Sequence, residues 1–151
     1  MSAESKSMNT PPRADLMTRP LPSPDPDSQA YWAGLRKGVL LLQQCRACGS
    51  LNAYHQAFCR DCSSTDFDLM ASCGLGTVHS FSVVHRAPGP AFKQDVPYAV
   101  LLVELDEGPR VVSRLVGADP SVLGFDMQVQ LICTPVSDEI SLPCFKPNDS
   151  C

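Results

Sequence analysis

From residue 76 onward the apolar positions recur with a period of two, the spacing of strands that show one face to a core. MQVQLIC (127–133) is the clearest case, with Met127, Val129, Leu131 and Cys133 on one face and Gln128 and Gln130 on the other. TVHSFSVVHR (77–86) is dense in β-branched and aromatic residues. YAVLLVEL (98–105) is apolar at both parities, as expected for a strand covered on two sides. The turn-forming DEGP links it to VVSRLV (111–116), so 98–116 is predicted to be a hairpin. ISLPCF (140–145) supplies a fifth strand, and Pro143 places it at a sheet edge because proline has no N–H to give a ladder. Between the third and fourth strands, ADPSVLGF (118–125) predicts a single helical turn capped by Asp119. Five short strands with a brief helix after the third describe an OB-fold barrel, although another small sandwich yields much the same pattern.

Upstream of residue 76 the period changes. In DSQAYWAGLRKG, Asp27 or Ser28 can cap a helix, Gly38 can end it, and Tyr31, Trp32 and Leu35 share one face. Arg36 and Lys37 fall in the last turn, where cations suit the helix dipole. A helix this short is not stable alone, so its aromatic face must dock on this chain or on another. Val39 to Gln44 then reads as a strand, residues 45–65 have few apolar side chains, and Phe67, Leu69 and Met70 resume an apolar pattern. Residues 1–27 are rich in Pro, Ser, Thr and Asp and bury too little to offset ordering entropy, which predicts a flexible tail. The predicted organisation is a tail at 1–27, a docking helix at 28–38, a metal ribbon at 39–70, an OB-fold at 71–147 and a short tail at 148–151.

The weak core of 45–65 coincides with two Cys-x-x-Cys pairs, Cys45/Cys48 and Cys59/Cys62, ten residues apart. Each pair grips a metal from a tight turn, and together they make a tetrahedral four-thiolate site that suits structural Zn2+. Gly49 directly after Cys48 fits the tight knuckle. Four thiolates leave no position for water, so the ion is expected to be structural and to supply the folding energy that this segment lacks, on the order of 10–16 kcal/mol in comparable systems. Iron in the same four-sulfur site and a Cys-x-x-Cys redox pair are the competing readings. His55 lies between the pairs and is not needed as a ligand. Cys73, Cys133, Cys144 and Cys151 have no ligand spacing, and Cys133 and Cys144 read as buried small hydrophobes.

Composition narrows the function. The chain has 151 residues and a net charge of −4, which disfavours phosphate backbones, and only 7% of its residues are aromatic. A nucleic-acid module combining zinc ribbon and OB-fold is therefore the weaker alternative. No 7–15-residue apolar leader and no run of about 18 apolar residues is visible, so a cytoplasmic protein without a membrane partner is expected, with thiols reduced. There is no phosphate-binding glycine motif and no base–nucleophile pair among His55, His79, His85 and the cysteines.

The order YWAGLRKG, LLLQQCRACG, a second Cys-x-x-Cys, GLGTVHSFSVVHRAP, VPYAVLLVELDEGPRVVSRLVG and PCFKP resembles the family that joins a rubredoxin-like zinc ribbon to a C-terminal OB-fold. The likeness covers residues 28–147. It implies a non-catalytic accessory subunit of a thiolase-superfamily, hydratase or aldolase-type enzyme acting on acyl-CoA or related thioesters, assembled as a hetero-oligomer. It also implies a role in stabilising that partner and in holding the CoA portion. The chain departs from the family's pattern of prolines between the cysteine pairs and a CPxCG second knuckle, carrying LNAYHQAF between the pairs and Cys59-Arg60-Asp61-Cys62-Ser63 at the second. A stand-alone acyl-CoA-binding protein is a further alternative. For contact with CoA or with the partner, the candidates are Tyr31, Trp32, His85, Arg86, Phe92, Lys93 and Arg114. The loop APGPAFKQDVP (87–97), with three prolines, would present Phe92 and Lys93 as a stiff lip. The plain alternative is that each charge is simply solvated on a barrel rim.

Overall fold

A computed structural model describes residues 19–149 of the chain. Residues 1–18 of the tail expected at 1–27, and residues 150–151 of the one expected at 148–151, lie outside the described residues.

One helix, α1 (Gln29–Arg36), is followed by β1 (Leu41–Cys45), β2 (Leu51–Asn52) and β3 (Phe67–Ala71), which form a sheet in the order β2-β1-β3. The remaining strands are β4 (Leu75–Val84), β5 (Tyr98–Leu105), β6 (Arg110–Arg114), β7 (Gln128–Pro135) and β8 (Ser141–Pro147). They pair antiparallel in the order β6-β5-β4-β7-β8. A parallel bridge between Leu115 and Phe145 brings the two ends of that sheet together. The Val116 N–H donates to the Phe145 carbonyl at 2.9 Å and the Ser113 hydroxyl to the Pro143 carbonyl at 2.6 Å. The result is the nearly closed five-stranded barrel expected of an OB-fold, with Pro143 on its lightly paired border. The predicted turn between the third and fourth barrel strands is a 3-10 turn at Pro120–Val122, and the Asp119 carboxylate accepts the Ser121 N–H as its cap.

The sequence period explains what each strand buries. On β5, Ala99, Leu101, Val103 and Leu105 face the core at 2% exposure or less, and Val78, Val111, Val129 and Phe145 meet them there. The other parity departs from expectation. Val100 and Leu102 are half-buried on the outer surface, and their β6 neighbour Val112 is 58% exposed, so β5 is covered fully on one side only. A close approach of β4 to β5 requires glycine at position 76, because a Cβ there would lie 2.5 Å from the Glu104 carbonyl oxygen.

Helix α1 docks within the chain. Tyr31 and Leu35 are buried and join Leu40, Leu42 and Ala53 in one cluster with the barrel core. Packing against β1, β7 and β8 supplies the stability that eight residues lack alone. The cap differs in detail from expectation. Ser28 stands at the N-cap, but its hydroxyl turns back to accept the Asp25 N–H at 3.0 Å, while the Asp25 carboxylate accepts the Ser28 N–H at 2.8 Å.

Ribbon and barrel are joined by residues 72–74. Glu107, in the β5–β6 turn, clamps this link, accepting the Cys73 N–H at 2.6 Å and the Ser72 hydroxyl at 3.1 Å. Burial acts to raise its pKa, but these donors outweigh it and hold the carboxyl below its ordinary value.

Candidate metal centre and binding rim

The two cysteine pairs sit on matching turns. After the first pair the Gly49 N–H donates to the Cys45 carbonyl at 2.8 Å, and the Cys45 N–H to Ser50 at 2.9 Å. After the second, the Ser63 N–H donates to the Cys59 carbonyl at 2.9 Å, and the Cys59 N–H to Ser64 at 2.8 Å. Both knuckles pass through left-handed backbone, with φ of +78° at Gly49 and +62° at Ser63. At the second knuckle a serine thus adopts the left-handed conformation that a glycine takes at the first. Gln43 braces the intervening loop: its buried side-chain amide donates to the Gln56 carbonyl at 3.0 Å and accepts the Gln56 N–H at 3.1 Å.

These turns gather the Sγ atoms of Cys45, Cys48, Cys59 and Cys62 within 4.8 Å of one another. Cys45 and Cys62 are 3.5 Å apart and Cys48 and Cys59 3.6 Å. A zinc ion with four sulfurs at about 2.3 Å sets tetrahedral edges of about 3.8 Å, so the cluster fits the ion. The surroundings favour thiolate at Cys45 and Cys59. At Cys62 the Ser64 amide acts to lower the pKa, but hydrogen bonding to the other cysteine sulfurs and burial outweigh it and push the thiol up to about 12. The Cys48 amide N–H is the chief cause lowering the Cys45 pKa. The Ser50 hydroxyl, 3.2 Å from the Cys59 sulfur, leads the groups that bring the Cys59 thiol to about 6, with the Asp61 and Cys62 amides next. Four thiolates complete the coordination, which makes the site structural. Bound zinc there supplies folding energy to a segment with few apolar side chains. His55 is engaged elsewhere, its Nε2 lying 2.9 Å from the Leu41 carbonyl and its ring edge-on to Tyr31.

The other sequence candidates fall into two groups. The register pairs of Val84 with Tyr98 and of Val100 with Arg114 bring His85, Arg86, Phe92, Lys93 and Arg114 to the same end of the barrel. His85, Arg86 and Lys93 are exposed there. Arg114 is less free than its sequence position suggests. Its guanidinium donates to Asp95 at 2.9 Å and stacks 4.6 Å from the centre of the Tyr98 ring. Asp95 also pairs with Arg19 at 2.9 Å, and Arg19 lies over the Phe92 ring at 5.3 Å. Burial of Asp95 opposes ionisation, but the two guanidiniums prevail and lower its pKa. This cluster ties the 87–97 lip to β6 and to the chain entering α1. Tyr31 and Trp32 are separate, packed with α1 on β1, β7 and β8. Tyr31 is 7% exposed, so the aromatic face expected to meet a partner is mostly spent inside the chain, with Trp32 edge-on to it at its margin.

Sequence reasoning missed Ser50, Asp95 and Glu107. Ser50 follows Cys48-Gly49 directly, a usable signal, whereas Glu107 reads only as part of a turn. Among the described residues no helix is long and apolar enough to cross a membrane.

Comparison with known proteins agrees with this architecture. The rubredoxin-like zinc ribbon domain of ChsH2 matches residues 32–68, and the C-terminal OB-fold domain of ChsH2 matches residues 71–133. A probable enoyl-CoA hydratase alpha subunit of Thermomonospora curvata is 37% identical over 129 residues, covering 85% of this chain and 40% of that protein. The chain therefore spans well under half of that relative's length. A DUF35 domain-containing scaffold protein of Methanothermobacter thermautotrophicus is 32% identical over 97 residues, covering 64% of this chain and 72% of that protein. Among solved structures, a chain of an Ltp2-ChsH2(DUF35) aldolase superposes with a TM-score of 0.75 at 36% identity, covering 84% of this chain and 98% of that one. Ribbon, four-thiol cluster and barrel occur here in the same order, and the chain belongs to the ChsH2-type DUF35 family, which joins a rubredoxin-like zinc ribbon to a C-terminal OB-fold.

Proposed function

We propose that this chain is a non-catalytic accessory subunit of an enzyme that acts on acyl-CoA or related thioesters. One observation carries the reading: nearly the whole of a DUF35 chain from an aldolase assembly is matched here in both fold and sequence. The relationship to a hydratase alpha subunit and to scaffold proteins points the same way. Chemistry within the chain agrees. The one clustered metal set among the described residues is saturated by four thiolates, which leaves no site for Lewis-acid work on a substrate.

The partner is a thiolase-superfamily, hydratase or aldolase-type enzyme, and the chain stabilises it and helps hold the CoA portion at the barrel end carrying His85, Arg86, Phe92 and Lys93. Exposed cations suit the CoA phosphates there, and the proline-rich lip offers an apolar edge to the acyl or adenine group. Arg114 contributes by fixing the lip through Asp95.

Native affinity purification from the source cells, with mass spectrometry of co-eluting proteins, tests the proposal. A stoichiometric enzyme of one of these three kinds is expected. Recovery of the chain alone, or with nucleic acid, would overturn it.

A further inference from the structure

The ribbon and the β5–β6 hairpin enclose a cleft of about 180 Å³ that is lined by Asn52, Tyr54, Arg60 and Arg110, among others. It is distinct from the barrel-end rim described above. Its polar groups are mostly donors with unused capacity. Arg60 spends its Nε on the Gln56 side-chain oxygen at 3.0 Å, and Arg110 spends its Nε on Glu104 at 2.9 Å. The terminal nitrogens of both guanidiniums have no protein acceptor among the described residues. The Tyr54 hydroxyl accepts the Val112 N–H at 2.8 Å, which leaves its own proton free to donate. Asn52 Nδ2 is buried without any partner among the described residues. A buried amide left unpaired costs about 1–3 kcal/mol, so natural proteins seldom leave one without a ligand or water to meet it.

From this we infer that the cleft is a binding site for a carboxylate group. The ligand must be rich in acceptors, because the lining has donors to spare. It must be small, given the volume. It should carry a single negative charge, because Arg60 and Arg110 together outweigh Glu104 by one unit. Guanidinium ends and an amide present planar pairs of N–H groups, which match a planar carboxylate better than a tetrahedral dianion. The carboxylate can belong to a free small acid or to an acidic side chain of a bound protein.

The test uses the zinc-loaded full chain labelled with 15N. Sodium acetate, a capped glutamate peptide, inorganic phosphate and sodium chloride are titrated separately at matched ionic strength. The Asn52 side-chain amide and the Arg60 and Arg110 Nε signals are followed. Saturable shifts with acetate or with the peptide, but not with chloride, are expected. Tighter binding of the peptide identifies a protein side chain as the source, and tighter binding of acetate a free acid. Arg60→Gln and Asn52→Asp should each weaken binding about tenfold or more, while Lys146→Gln, an exposed cation on β8 outside the cleft, leaves it unchanged. Zinc content and the barrel signals report that each variant is folded. Shifts that merely track ionic strength, or tighter binding of phosphate than of either carboxylate, would overturn the assignment.

Discussion

Substituting alanine for Gly49 adds a methyl group where no heavy atom lies within 4 Å, so the change carries no packing penalty. What remains is backbone. Gly49 has φ of +78°, and holding an L-residue in left-handed backbone costs about 1–2 kcal/mol. Alanine recovers about 0.4–1 kcal/mol by restricting the unfolded chain. Gly49→Ala should therefore weaken the folded ribbon by about 1 kcal/mol, close to a fivefold loss of zinc affinity in competition against a chelator. The second knuckle predicts the reverse. Ser63 already bears this strain at φ +62°, so Ser63→Gly should tighten zinc binding by up to about 1 kcal/mol. Both are measured at fixed pH, because thiolate ligands make the affinity pH-dependent. Equal affinity of Gly49→Ala and the native chain, or a loss on Ser63→Gly, would refute the idea that two equivalent left-handed knuckles hold the ion.

Gly76→Ala should destabilise the barrel by about 3 kcal/mol or more in chemical denaturation, since its Cβ meets the Glu104 backbone at 2.5 Å and cannot be accommodated by a rotamer change. Leu35→Ala removes a fully buried anchor of α1 and should cost about 2–5 kcal/mol. A matching loss of amide protection along α1 and β8 would confirm that the helix is undocked. Glu107 has a folded pKa below its ordinary 4.5, so its stabilising effect is complete above that value and fades as pH falls through the folded pKa. Glu107→Gln should consequently lower stability at neutral pH and flatten its decline on the acid side of pH 4.5, as read from thermal unfolding across pH.

Much of this architecture is written in local pattern. Alternation along 127–133 and the DEGP turn place β7 and the β5–β6 hairpin, and the two Cys-x-x-Cys pairs locate the metal centre. What pattern leaves open depends on tertiary partners. The second apolar parity of β5 reads as buried, yet Val100, Leu102 and Val112 remain on the outer barrel surface. The face of Tyr31 reads as docking either on this chain or on another, and only the tertiary packing decides for this chain's own core. Arg114 reads as a free cation because Asp95, its partner, lies 19 residues away across a proline-rich loop. The serine at position 63 conceals a knuckle whose glycine-like conformation only the backbone reveals.

The accessory-subunit role stands or falls on turnover of an acyl-CoA thioester by the co-purified enzyme, assayed with this chain, without it, and with this chain alone. The chain alone should be inactive, and the enzyme deprived of it should lose about tenfold or more of its activity or fail to stay folded. Turnover by the isolated zinc-loaded chain, or an enzyme equally active and stable in its absence, would contradict the role.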